Sequence, residues 1–425
     1  MNTRLSRHAF RLLLAFSFCS MLVQAQNQIP QQYLSMSMSS GVLYSGWPTV
    51  PFGSLRLWDT STGWSQINSS SGSYDWSVLD QWMSAAKNHN VDMVYTFGRT
   101  PQWASSHPSD SICNFGPGQC DPPKDLNADG TGPDQIWKDF VTAIATHSAG
   151  RIKYWELWNE PQNTFYWNGT IAQMVRMAGD ARAIIKGIDP NAELLSPGTG
   201  VRFKALKWTA NYLAAGGGQY ADIIAAHGYV QGSCPNNPPD VTSIPSRVSG
   251  FETMLKSFGQ NQKPLWITEF SWGDQVPTCF TNANLQAAFV AQSHLLYYGA
   301  GARRLYWYSW DNGARGTLWT PQGQGGVVLP AGAAFGQVSR WLTGATFTQG
   351  CSASGSIWTC ELSRPGGYQG LVVWNSSKTC TTVCATSPYT FPPQYIKYRD
   401  LSGNVYSLSG STVAIGFKPV LLENQ

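Results

Sequence analysis

The chain is predicted to be an α/β protein, a (β/α)8 TIM barrel followed by a smaller C-terminal β-sandwich domain, and three observations predict this. Strand-like apolar runs alternate with amphipathic helical segments through most of the 425 residues, the order that builds a parallel sheet covered by helices. From the fourth run onward the strand centres lie about 30 to 40 residues apart, one βα unit each. After Trp341 the texture changes to short alternating runs such as "GLVVWNSS", "YIKYRD" and "STVAIGFKPVLL" between Gly, Ser and Pro turns, the pattern of a sandwich.

Residues 1–25 read as a secretory signal. Arg4, Arg7 and Arg11 precede the apolar run Leu12 to Val23, and the small Ala25 ends the segment. That run is too short to span a bilayer, and no later stretch is long and apolar enough to do so. The barrel is then expected over 26–342 and the sandwich over 343–425, with part of 26–40 as a further contribution to it. Eight strands are expected at Tyr33 to Ser37, Ser54 to Trp58, Val91 to Phe97, Ile152 to Leu157, Ala192 to Ser196, Ile223 to His227, Leu265 to Phe270 and Arg304 to Tyr308. The 3.6-residue period places helices at Ser77 to Asn88, Ile136 to His147, Ile171 to Gly187, Phe203 to Ala215, Arg247 to Gly259 and Asn284 to Tyr298. Asp75 and Asp134 are expected as N-caps, and Asp189-Pro190 as a helix stop. The first two strands are too close for a full helix between them. The long segment Gly98 to Pro133, rich in Gly, Pro, Asp and Ser, is expected to wall one side of the barrel mouth.

Charged residues make up 12% of the chain and aromatics 13%, about half the usual charged share. Removing residues 1–25 takes away three Arg and no acid, so the net charge falls from +4 to +1. That argues against a nucleic-acid partner. It also removes Cys19 and leaves eight cysteines, an even number suited to an oxidising compartment. Their order suggests local pairs, Cys113 with Cys120, Cys234 with Cys279, Cys351 with Cys360 and Cys380 with Cys384, although sequence does not fix connectivity. The spacings do not resemble zinc-ligand motifs.

Only seven glutamates occur in the chain, and two lie in "KYWELWNEP". In such barrels catalytic groups sit at the carboxyl ends of strands. Glu160 lies just after the fourth strand and Glu269, in "PLWITEFSWG", near the end of the seventh, so the two face one space from opposite sides. That is what glycosidic cleavage requires: a protonated acid at the leaving oxygen and a carboxylate at the anomeric carbon. Glu156 is expected lower in the barrel, paired with a cation.

"ELWNEP" followed by "WITEF" resembles clan A of the glycoside hydrolases. Within the clan the chain is most similar to glycoside hydrolase family 39, the β-xylosidase and exopolysaccharide endoglycosidase group. The likeness covers nearly the whole mature chain, through "SLRLWD", "YTFGRTPQWAS", "HGY" and the trailing β-domain. It implies Glu160 as general acid/base, Glu269 as nucleophile and retention of configuration. Glu160 must carry a proton, so an apolar setting is expected around it. Glu269 must stay ionised, with Arg56 and Tyr229 as its expected donors. Asn159 is expected on the sugar 2-hydroxyl, His227 against Glu269, Tyr229 or substrate, and Trp307 as the clan's platform beneath the reacting sugar. Trp103, Trp167, Trp272 and Trp310 are read as stacking subsites.

The reading is a secreted, extracellular or periplasmic, retaining β-glycosidase that is monomeric and endo-acting on a polysaccharide or oligosaccharide. It is expected to need no metal or other cofactor. The alternatives are an exo-acting β-xylosidase, an inverting enzyme, and a non-catalytic carbohydrate-binding barrel. Asp125, Asn127 and Asp129 in "DLNADGTGPD" open like a calcium loop, but the twelfth position is Ile136, so an Asx-turn loop competes with that reading.

Overall fold

The computed structural model describes residues 28–230, 239–273, 280–313, 316–321 and 325–425. The signal segment, Cys234 and Cys279 lie outside the described residues. Nine strands form one parallel sheet: β1 (Leu34–Ser37), β2 (Ser54–Leu57), β3 (Asp92–Thr96), β4 (Tyr154–Glu156), β5 (Glu193–Leu195), β6 (Thr199–Gly200), β7 (Ile224–His227), β8 (Leu265–Phe270) and β9 (Arg304–Trp307). β1 pairs with both β2 and β9, and a bridge from Leu195 to Ile223 joins β5 to the start of β7. The ring therefore closes on eight strand positions, β5 and β6 being two pieces of the fifth.

Among the described residues seven longer helices cover it: α1 (Ser77–Asn88), α2 (Gln135–His147), α3 (Ile171–Ile188), α4 (Phe203–Ala214), α5 (Ile244–Ser257), α6 (Ala283–Gly299) and α7 (Pro330–Leu342). The stretch from β1 to β2 holds only a single turn, Val42–Ser45, in keeping with its length. α1 buries Leu79, Trp82, Met83 and Ala86, one stripe at the helical period. Thr170 caps α3 by accepting from the Gln173 amide at 3.1 Å, and the Gln173 side chain answers the Thr170 amide at 2.9 Å, a reciprocal capping box. α7 was not among the expected helices, although Pro330 at its first position and the buried Phe335, Val338, Trp341 and Leu342 are the ordinary signals.

Asp75 accepts the Ser77 amide at 2.9 Å at the start of α1. Asp134 does not cap α2: its φ is +49° and its side chain makes no cap bond. Asp125 Oδ2 takes that place, accepting the Gln135 and Ile136 amides at 2.6 and 3.2 Å.

Beyond α7 a six-stranded antiparallel sheet runs in the order β10 (Thr346–Ser354), β11 (Ile357–Arg364), β12 (Tyr368–Asn375), β17 (Val420–Glu423), β14 (Lys397–Arg399), β15 (Val405–Ser407). A two-stranded sheet, β13 (Thr386–Thr390) with β16 (Thr412–Gly416), packs on it. The sandwich leans on the barrel helices, with Tyr298 of α6 against Phe347 at 4.9 Å. Ile29 exchanges backbone hydrogen bonds with Gly344 and Ala345 at the junction. Disulfides join Cys113 to Cys120, Cys351 to Cys360 and Cys380 to Cys384.

Alternation along each strand decides which side chains look into the barrel. On β9, Arg304 and Tyr306 point inward: Arg304 forks onto Asp92 at 2.7 and 2.9 Å, and Tyr306 meets Ser54 Oγ at 2.7 Å. Trp307 therefore points outward. It lies wholly buried between sheet and helices, with Trp272 at 5.3 Å, Phe270 at 5.7 Å, His294 at 5.9 Å and Phe289 at 6.2 Å. Its indole donates to the Gly316 carbonyl at 2.6 Å. Trp307→Ala should thus cost about 3–5 kcal/mol of stability, read from urea unfolding. A loss well under 1 kcal/mol would contradict this packing role.

Candidate active site

The site is built around one buried cation. Arg56 follows Ser54 on the inward face of β2 and has no solvent exposure. Its Nε donates to Glu156 Oε2 at 2.7 Å, its Nη1 to Glu269 Oε2 at 2.8 Å and its Nη2 to Asn159 Oδ1 at 2.7 Å. Burial works against the guanidinium charge, but Glu156 and Glu269 outweigh it and hold Arg56 above its ordinary range. Thr96 adds a hydroxyl to Glu156 Oε2 at 2.7 Å. Glu156 is thus the expected deep ion-pair partner.

Glu269 reaches this guanidinium because of a break in β8. Trp266 looks into the barrel and Ile267 packs outward, so strict alternation would turn Glu269 toward the helices. The register shifts against β7 and β9 across this stretch, and the added residue returns Glu269 to the interior. Tyr229 then donates to Glu269 Oε1 at 2.8 Å.

Glu160 comes from the loop after β4 with a φ of +44°, a conformation that non-glycine residues seldom hold. The Asn159–Gly198 bridge and the Glu160 amide on the Gly198 carbonyl at 2.8 Å hold it there. A Cβ on Gly198 would lie 2.6 Å from Glu156 Oε1 and 2.7 Å from His227 Nε2, so only glycine allows the acid and the imidazole this close. His227 Nδ1 meets Glu160 Oε1 at 3.0 Å, and Asn163 Nδ2 donates to Glu160 Oε2 at 3.1 Å. One oxygen from each glutamate and a ring nitrogen of His227 lie within 4.8 Å of one another. Glu269 faces Arg56 and Tyr229 through its two oxygens.

The three titrating groups are linked. Burial disfavours the imidazolium, yet Glu269 and Glu160 raise His227 above its usual value. Burial pushes Glu160 up, but the hydrogen bond and charge of His227 prevail and hold it low. Glu269 sits above the usual carboxylate range through burial and the nearby Glu160, with His227, Arg56 and Tyr229 opposing. The apolar setting expected to keep Glu160 protonated is therefore not what surrounds it; an imidazole is.

Of the other expected groups, Trp307 and Trp272 belong to the sheet–helix core, because both lie on outward positions. Trp103 is half-buried, its indole donating to the Asn68 carbonyl at 2.9 Å. Trp167 is buried against Trp158 at 5.0 Å and Trp310 against Trp319 at 6.2 Å. Beside Arg56 instead lies an aromatic cluster of Trp58, Phe115 and Tyr166, with ring separations of 5.6 to 6.4 Å and Trp58 5.9 Å from the guanidinium. Arg99 lies 3.6 Å from the Phe115 centroid and 5.2 Å from that of Trp58. Tyr308, bonded to Asp59 at 2.6 Å, takes the inward position next to Trp307. Both Trp58 and Tyr308 could have been found by counting in twos along their strands, from Arg56 and Tyr306.

Known proteins share this fold. The family model described as "Glycosyl hydrolase catalytic core" matches residues 64–318, more than half the chain. Among solved structures, a family 39 glycoside hydrolase from Bacteroides cellulosilyticus WH2 is similar over 92% of this chain and 81% of its own, with a TM-score of 0.66 at 17% identity. A family 39 β-xylosidase from Caulobacter crescentus aligns over 94% and 98%, with a TM-score of 0.64 at 15% identity. The catalytic domain of family 30 xylanase C from Talaromyces cellulolyticus aligns over 94% and 97%, with a TM-score of 0.60 at 14% identity. At these identities the likeness is one of fold. No curated protein matches the chain in sequence. With two glutamates aimed into one barrel mouth and the family model across them, this chain belongs to the glycosyl hydrolase catalytic core family and is a glycoside hydrolase.

Proposed function

We propose that the protein is a secreted, monomeric, retaining β-glycosidase that cleaves a polysaccharide or oligosaccharide internally by double displacement, with Glu160 as general acid/base and Glu269 as nucleophile. The observation that carries this is the closeness of the two carboxylates, with an oxygen of each inside a 4.8 Å group. Retaining pairs stand roughly 5–5.5 Å apart and inverting pairs about 6.5–9.5 Å, to admit a water. Secretion is supported by the signal-like residues 1–25 and by three disulfides. Among the described residues no helix is long and apolar enough to cross a membrane. The cluster of Trp58, Phe115 and Tyr166, with the exposed Phe165 beyond it, supports binding of more than one sugar and hence endo action. Because structural neighbours are named as a β-xylosidase and a xylanase, xylan is the first substrate to try, with product sizing to separate internal from terminal cleavage.

The chemistry follows from the contacts. Glu269 keeps its charge through Arg56 and Tyr229 and attacks the anomeric carbon. Asn159, its carbonyl oxygen held by Arg56, offers its amide to the sugar 2-hydroxyl. Glu160 must protonate the leaving oxygen although its own proton affinity is low in the free protein. His227, 3.0 Å away and raised by the two carboxylates, holds that proton and returns it to Glu160 as the leaving oxygen gains charge. The catalytic proton thus belongs to the Glu160–His227 pair. Glu160 next deprotonates the water that releases the sugar from Glu269.

Glu160→Gln and Glu269→Gln should each lower turnover by roughly 10²–10⁴ or more with the fold intact, measured on an aryl β-glycoside beside circular dichroism. Full activity in either variant would refute the assignment. For Glu269→Gly, added azide should restore turnover and give a glycosyl azide of inverted configuration. Because His227 is raised, the pair keeps its proton to a pH above the ordinary histidine value, so the alkaline limb of kcat/KM should lie there. In His227→Asn the proton rests on a carboxyl alone and that limb should move to lower pH. An unshifted limb would show that His227 does not share it.

A further inference from the structure

A second cluster of ionisable groups lies away from the catalytic pair, where the mouth loop meets α2 and α3. Asp134 is wholly buried, and neither of its carboxylate oxygens meets a hydrogen-bond donor. Asp125 Oδ1 is likewise buried without a donor, while its Oδ2 is spent on the α2 amides. Asp180 of α3 faces Asp134 and is steered by Arg176, whose Nε lies 2.8 Å from Asp180 Oδ2. Three carboxylates thus meet one guanidinium, an excess of two negative charges when all three are ionised. An uncompensated buried charge is costly.

The neighbouring residues of the calcium-like sequence do not serve here. Asp129 Oδ1 accepts the Thr131 amide and hydroxyl at 2.9 and 2.6 Å, and Asn127 donates to Thr131 Oγ1 at 3.1 Å. Those side chains shape the loop. The oxygens left without partners belong to Asp125 and Asp134, and the third carboxylate comes from a helix some fifty residues on in the sequence.

We propose that Asp125, Asp134 and Asp180 form a site for a hard divalent cation of the calcium class, which fastens the mouth loop to α2 and α3. All the donors are carboxylate oxygens, which favours calcium over softer metals. The charge excess matches a divalent ion. A concavity lined by Asp129, Gly130, Ala172, Arg176 and Asp180 opens the Asp180 side to solvent. The three groups are spread more widely than Glu160, His227 and Glu269, so the ion draws the carboxylates together and completes its shell with water. The competing neutraliser is a proton held between Asp134 and Asp180, since burial and Asp180 push the Asp134 carboxyl up to about 8.

The test uses the full mature protein stripped with EDTA and titrated with calcium chloride at pH 7.5, followed by calorimetry and by thermal unfolding. The expected result is one bound ion per chain and a Tm rise of about 3 °C at a hundredfold excess over Kd. Asp134→Asn and Asp180→Asn should lose both effects, whereas Asp129→Asn should keep them. Should Asp134→Asn fail to fold, Asp180→Asn and the wild-type titration still decide. Absence of calcium heat and of any Tm shift in the wild type overturns the site. So does a wild type indifferent to calcium whose Asp134→Asn variant is more stable at pH 8, because a proton then fills the role. Binding is read without hydrolysis, so the outcome is independent of the catalytic assignment.

Discussion

Everything at the mouth depends on where Arg56 holds its charge. A guanidinium with no solvent exposure is stable only when each edge is matched, and here one side is taken by Glu156, another by Glu269 and a third by Asn159. Planar and five-donor, it fixes the direction of the Glu269 carboxylate and of the neighbouring Asn159 amide together. Glu156 belongs to this frame more than to the chemistry, since it anchors the cation that orients Glu269. Three strands are thereby tied at one level of the barrel.

A second constraint is positional. Glu160 sits on a backbone conformation that costs a non-glycine residue energy, and Gly198 opposite it leaves room for His227 and Glu156 to approach. The β8 register shift does the same service for Glu269. Irregular backbone at two strand ends thus brings two carboxylates and an imidazole together on an otherwise regular frame. The same contact lowers Glu160 and raises His227, and the proposed relay follows from that closeness.

Much of the frame was legible in the chain because period-2 and period-3.6 patterns write it directly. The eight strand positions, six of the helices, Glu160 and Glu269 as facing acids, and Arg56 and Tyr229 beside Glu269 were all readable. What escaped has identifiable causes. Its place at a strand end suggests that Trp307 faces the sugar, but Arg304 and Tyr306 set the parity and leave Tyr308 the inward place. Strict alternation could not have delivered Glu269 inward either, because a bulge leaves no clear mark in sequence. Asp134 looked like a cap by adjacency, while Asp125 reached the same amides from across the loop. The tryptophans of "FYW" and "SWG" suggest stacking sites, yet Trp167 is buried against Trp158 and Trp272 against Trp307. The setting of Glu160 depended on His227, brought from a strand 67 residues away, so no local pattern could show that imidazole would replace an apolar wall.

The central claim is that two close carboxylates act in succession on one anomeric carbon. The most direct measurement is proton NMR of the first sugar released by wild-type protein from an aryl β-xyloside or from xylan, recorded before mutarotation. The account predicts that the β-anomer appears first. An initial α-anomer would mean single displacement by water and would contradict it.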